Sequence, residues 1–75
     1  MQTAPIRTGR AFAAALREFR VASGMTQREL ADETGVTQSL IAELESGKTT
    51  KALERCFVLL RALDAHVVIT DGQNG

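Results

Sequence analysis

The densest run of hydrogen-bonding chemistry in this sequence lies between residues 37 and 43. It sets out a hydroxyl (Thr37), a carboxamide (Gln38), a second hydroxyl (Ser39), a bare methyl (Ala42) and a carboxylate (Glu43) at spacings that fit one short helix. Short polar groups of this kind suit a surface that carries its own donors and acceptors. A glutamine amide can bond both N6 and N7 of adenine, a serine hydroxyl can donate to or accept from any base, and a methyl can touch that of thymine. Glu43 can accept from a cytosine amine, but phosphates repel a carboxylate, so the groove edge or a neighbouring arginine suits it better. Flanking residues are of a second chemical type. Gln27 and Arg28 precede the run, and Lys48, Thr49, Thr50 and Lys51 follow it. Amides, hydroxyls and cations beside helix starts are phosphate holders, which fix position without reading sequence. Arg28 fits a backbone contact or no contact at all, and Arg7 and Arg10 fit a phosphate, a minor groove or merely an exposed arm.

Other chemistries find no footing. One cysteine and one histidine, Cys56 and His66, give neither an internal disulfide nor metal-ligand spacing. No nucleophile–base pair, paired catalytic carboxylates or phosphate-cradling glycine loop is present, so neither an enzyme nor a cofactor is expected. With 75 residues the chain makes one small domain, and 44% hydrophobic composition excludes a disordered tail. A core of that size gives a thin stability margin without a staple, which leaves association with a second subunit as the natural supplement. No apolar run is long enough for a membrane span or a secretion signal, so a cytoplasmic, nucleoid-associated protein with no membrane partner is expected. Nine basic and nine acidic side chains cancel. They are unevenly spread: residues 1–24 are net positive, 25–48 net negative and 49–75 balanced. Any phosphate-facing surface must therefore be local.

The elements that position these residues follow from caps and periodicity. Residues 1–7, with Pro5, read as a flexible N-terminal arm. Thr8 caps a helix over about 9–23 with Phe12, Ala15, Leu16, Phe19 and Ala22 inward, and Gly24 stops it. Thr26-Gln27-Arg28-Glu29 is a capping box that starts a helix over 27–34. Gly35 ends that helix in a left-handed turn, Val36 plugs the corner, and Thr37 caps a third helix over about 38–46 seated by Ile41 and Leu44. After Gly47, Thr50 caps a fourth helix over about 51–63, with Leu53, Cys56, Phe57, Leu60 and Leu63 as its inward stripe. The β-branched run His66-Val67-Val68-Ile69-Thr70 reads as a strand, and 72–75 as a disordered tail. A lone strand leaves its backbone groups unpaired, so its expected partner is the same strand of a second copy in a two-fold antiparallel ribbon. His66, Val67, Val68, Ile69 and Thr70 are thus the predicted dimer interface.

Two short helices joined by a tight turn, with Ala31 small where they cross and Gly35 at the turn, have helix-turn-helix geometry. On Met25-Thr26-Gln27-x-x-Leu30-Ala31, Gly35-Val36-Thr37-Gln38 and Ile41-x-x-x-Glu45-x-Gly47-Lys48, residues 16–51 resemble the phage repressor and Cro (XRE) family. That resemblance implies a mainly all-α, lambda-repressor-like bundle of four helices in a domain spanning 8–71. The family usually has a fifth helix where this chain has the C-terminal strand 65–71, and the pairing of that strand across a homodimer is what a narrower resemblance implies. It implies double-stranded DNA as partner, in a palindromic operator, with Gln38, Ser39 and Glu43 at base-reading positions. It also implies an ion pair between Arg20 and Glu45 that ties the first helix to the reading helix. Through Ala62-Leu63-Asp64-Ala65-His66-Val67-Val68-Ile69 the chain is similar to HipB-type antitoxins. This narrower resemblance implies an autoregulating repressor bound by a HipA-like serine/threonine kinase toxin. A stand-alone regulator without a toxin, and a protein-interaction module that has lost DNA binding, remain as competing readings.

Overall fold

The computed structural model describes residues 1–72. Four helices follow one another: α1 (Gly9–Ala22), α2 (Gln27–Thr34), α3 (Gln38–Glu45) and α4 (Lys51–Ala62). Each begins at a threonine whose hydroxyl accepts a backbone N–H three residues on. Thr8 accepts from Ala11 at 3.1 Å, Thr26 from Glu29 at 3.0 Å, Thr37 from Leu40 at 3.2 Å and Thr50 from Leu53 at 3.1 Å. Those N–H groups have no intrahelical acceptor, so the caps set the four starting points. At α2 the Glu29 carboxylate also accepts the Thr26 N–H at 2.9 Å, completing the expected capping box. Its carboxyl lies below the usual carboxylate range, first because the Thr26 backbone donates to it. Gly35 ends α2 at φ 77°, the left-handed conformation that a residue with a Cβ adopts at a cost.

Residues 1–7 are not the free arm that the sequence predicts. Ile6 is 3% exposed and exchanges both backbone hydrogen bonds with Val67, at 2.8 and 3.0 Å. Thr3 N–H donates to Ile69 O at 2.9 Å, and Asp71 N–H donates to Met1 O at 3.2 Å. The premise that no second strand exists in this chain is therefore corrected: the N-terminal segment lies antiparallel to the C-terminal one. Neither forms a continuous strand, and the contact is two isolated bridges, Ile6 with Val67 and Gln2 with Thr70. Between those bridges the N-terminal segment advances one residue more than its partner. Pro5, which has no N–H to offer a ladder, falls in that bulge.

The pairing carries Ile6 into a cluster with Ala15 of α1 and Phe57 of α4, which Phe12, Leu53, Leu60, Val67 and Ile69 flank. Phe12 and Phe57 meet edge to face with ring centroids 6.1 Å apart. Two members of the expected α4 stripe do not join: Cys56 is exposed, and Leu63 is 75% exposed. Leu53, Phe57 and Leu60 already face α1, and the helix turn carries residues 56 and 63 to the far flank. Ala22, expected inward on α1, is exposed, and Val36 covers its corner only partly, at 39% exposed. Among the described residues no helix is long and apolar enough to cross a membrane.

Candidate nucleic-acid interface

Ile41, 4% exposed, is the apolar peg that seats α3. Seen down the helix, its buried side fixes the opposite side as the outward face. Ser39 and Glu43 are exposed there, with Ala42 half-buried on the flank; Gln38 is exposed at the first turn, nearer the Ile41 side, and does not line the hollow that the others share. Thr37, Ser39, Ala42, Glu43, Ser46 and Lys48 line one shallow hollow, so most of the predicted reading residues share a single surface with a predicted phosphate-holding lysine. Leu40, 44% exposed, lines the same hollow and was not singled out from sequence. Its exposure beside Ser39 and Glu43 offers a methyl-bearing contact for the same surface.

An ion pair holds this surface at a fixed angle to α1. Arg20 of α1 presents a fork to Glu45 at the end of α3, Nε to Oε2 at 2.7 Å and Nη2 to Oε1 at 2.9 Å. Its remaining Nη1 donates to Met25 O at 2.7 Å, so one guanidinium ties together α1, the α1–α2 turn and α3. The Glu45 side chain is 3% exposed and that of Arg20 10%. The Arg20 hydrogen bonds hold the Glu45 carboxyl below the usual carboxylate range against the opposing effect of its burial, and the carboxylate raises the Arg20 pKa in return. This is the ion pair that the resemblance implied, and it makes Glu45 structural.

The network also includes Gln27, whose Nε2 donates to Glu45 Oε1 at 3.2 Å. The sequence reading gave that amide to phosphate. In the structure it is engaged inward, which leaves the backbone N–H groups of the first α2 turn and the exposed Arg28 facing outward. Thr49 is similarly committed. Its hydroxyl donates to Glu54 at 2.6 Å, and a Cβ on Gly9 would come within 2.5 Å of its methyl. Gly9 and Glu54 were both missed, and only the closeness of helix α1 to the connector reveals them. Lys48, Thr49, Thr50 and Glu54 border a second hollow beside Leu40 and Glu43. Arg28 and Lys51 are exposed but line neither hollow.

Among the described residues no three His, Cys, Asp or Glu side chains gather to hold a metal ion. What the site provides is a polar helix start, presented outward by a rigid two-helix corner. Residues 16–68 match the family model described as Helix-turn-helix, and the chain belongs to that family of DNA-binding transcriptional regulators. Among its relatives, an uncharacterized HTH-type transcriptional regulator of Archaeoglobus fulgidus is 40% identical over 52 residues, covering 69% of this chain and 74% of that protein. One of Methanothermobacter thermautotrophicus is 42% identical over 48 residues, covering 64% of this chain and 70% of its own. A third, from Sinorhizobium fredii, is 41% identical over 54 residues, which are 72% of this chain but 28% of the longer relative. No solved structure matches the chain.

Proposed function

We propose that the chain is a sequence-specific repressor that enters the major groove with the amino end of α3 and binds a palindromic operator as a homodimer. The outward, polar start of α3 carries this reading. Ser39 shares one surface with Thr37, Ala42 and Glu43, Gln38 is exposed at the first turn next to it, and Ile41 and the Arg20–Glu45 fork lock the helix from behind. A helix entering end-first presents its first-turn side chains to base edges. Gln38 reads adenine, Ser39 adds a less discriminating bond, and Ala42 meets a thymine methyl. Phosphates bind the backbone N–H groups at the start of α2, Arg28, Lys48, the Thr50 turn and Lys51. Two copies would place their reading helices about 34–36 Å apart, one turn of the duplex.

Repression of its own operon as the antitoxin of a HipA-like serine/threonine kinase toxin is the finer form of this reading. The order of four helices followed by the β-branched segment 66–70 supports it. A kinase-like reading frame next to the gene for this chain, with co-purification of the two products, supports the antitoxin role. A lone gene returns the chain to stand-alone regulation.

DNA binding itself is tested by titrating duplex at several salt concentrations. Phosphate contacts give log affinity a negative slope against log salt of about 0.9 per phosphate neutralised. A zero slope would make the chain a protein-interaction module. On the selected operator Gln38→Ala costs about 1–3 kcal/mol and leaves non-specific binding almost unchanged. Equal losses on both would remove Gln38 from base reading.

A further inference from the structure

We infer that the outer stripe of α4 and its C-cap, formed by Ala52, Cys56, Leu59 and the capping Leu63, is the face on which a second copy of this chain seats its own α4 antiparallel. The inference rests on the two-copy reading above and goes further by assigning its interface to a helix face. The four residues recur at i, i+4, i+7 and i+11, the alternating steps of four and three that keep a seam facing a partner helix. All four are exposed, Leu59 at 64% and Leu63 at 75%, while Leu53, Phe57 and Leu60 on the inner side meet the core. Helix α4 therefore has two apolar stripes, and the chain covers one of them.

The order of side-chain sizes along the stripe identifies the occupant. When two copies of α4 run antiparallel about a two-fold axis, Ala52 faces Leu63 of the other copy and Cys56 faces Leu59. Each pairing sets a small side chain against a large one, in both directions across the axis, as an isologous contact requires. An unrelated partner would have no reason to match that alternation. Area agrees with this assignment. The chain exposes 5465 Å², whereas a compact monomer of 8.1 kDa exposes about 4,500 Å². The chain is thus more open than a compact monomer of its mass, which leaves room for the roughly 800 Å² that one partner contributes to a standard interface.

The open edge of the C-terminal segment continues the stripe. Residues 67, 69 and 71 direct their backbone groups to the N-terminal segment. By antiparallel geometry His66, Val68 and Thr70 direct theirs the other way, and none of these finds a partner within the described chain. Val68 is 40% exposed there, a short step along the chain from Leu63.

The test is sedimentation of the full chain and its variants, with circular dichroism to confirm the fold of each. The full chain should sediment as a dimer. Leu59→Glu should weaken it at least about 100-fold, the size of a central interface residue. Leu59→Ala should weaken it less, and adding Cys56→Leu to Leu59→Ala should restore it, because large and small have merely exchanged places across the axis. Alkylation of Cys56, the sole cysteine, should be slow in the dimeric full chain and fast in Leu59→Glu; equal rates would contradict a closed seam over Cys56. A dimer that survives Leu59→Glu but is lost in Val68→Pro overturns the α4 assignment and keeps the two-copy reading. A full chain that is monomeric alone and on operator DNA overturns both.

Discussion

Helices α3 and α4 both start from a threonine cap and both show solvent an outward face, yet those faces are opposite in kind. That of α3 carries Ser39, Glu43 and Ser46; that of α4 carries Ala52, Cys56, Leu59 and Leu63. Their anchors differ as well. One buried peg, Ile41, and a charged network through Arg20, Glu45 and Gln27 fix α3, whereas α4 is held by apolar burial around Phe57, 2% exposed. Polar outward groups keep their hydrogen-bonding capacity in water and exchange it for base edges at little cost. Apolar outward groups gain free energy only by leaving water. One helix is thus suited to a wet groove and the other to a dry protein partner.

The largest effect expected from this contrast is at Phe57. Phe57→Ala should destabilise the chain by about 3–5 kcal/mol in denaturant melts, because its ring joins α1, α4 and the N-terminal segment. A loss below about 1 kcal/mol would show that α4 is not held by this cluster. The anchor of α3 should respond to pH instead. The folded-state pKa of Glu45 is depressed, so its stabilisation is complete above the ordinary carboxylate range and drains away as pH falls through the lowered value. Glu45→Gln should therefore melt lower than the parent at neutral pH and lose less on acidification. Acid limbs that superimpose would contradict the network's role. The smallest change concerns the end of α4. Asp64 adopts φ 55° while Ala65 N–H closes back on Leu60 O at 2.8 Å, the motif that Gly24 serves after α1. Asp64→Gly should stabilise by about 0.5–1 kcal/mol, measured by the same melts; destabilisation would mean that the aspartate makes a compensating contact.

Sequence made α1 to α3 legible because their determinants are local or short-range. Thr26 and Glu29 sit three residues apart, Gly35 must turn left-handed, and each helix ends within a residue of its expected position. The Arg20–Glu45 pair came through family resemblance rather than spacing. The N-terminal segment was illegible for a physical reason. Its pairing residues, Thr3 and Ile6, are separated by a bulge at Pro5, so no alternation marks it as extended structure. On α4 the periodic pattern identified apolar residues but merged two stripes, since apolarity alone does not say which surface covers a side chain. Cys56 and Leu63 were assigned inward on that basis, and the structure turns both out. Gln27 and Thr49 were marked as phosphate holders by type, and tertiary partners, Glu45 and Glu54, take up their side chains. The expected tail over 72–75 falls largely outside the described residues.

The division of labour between α3 and α4 is tested most directly by following every backbone amide of the isotopically labelled chain by NMR as a selected operator duplex is added. Perturbations should cluster on residues 37–43, with a second group at 27–28 and 48–51, while amides of the outer α4 stripe and residues 66–70 stay near their positions in the free protein. Shifts concentrated on α4 and 66–70, with the start of α3 unmoved, would contradict the assignment of α3 to the groove.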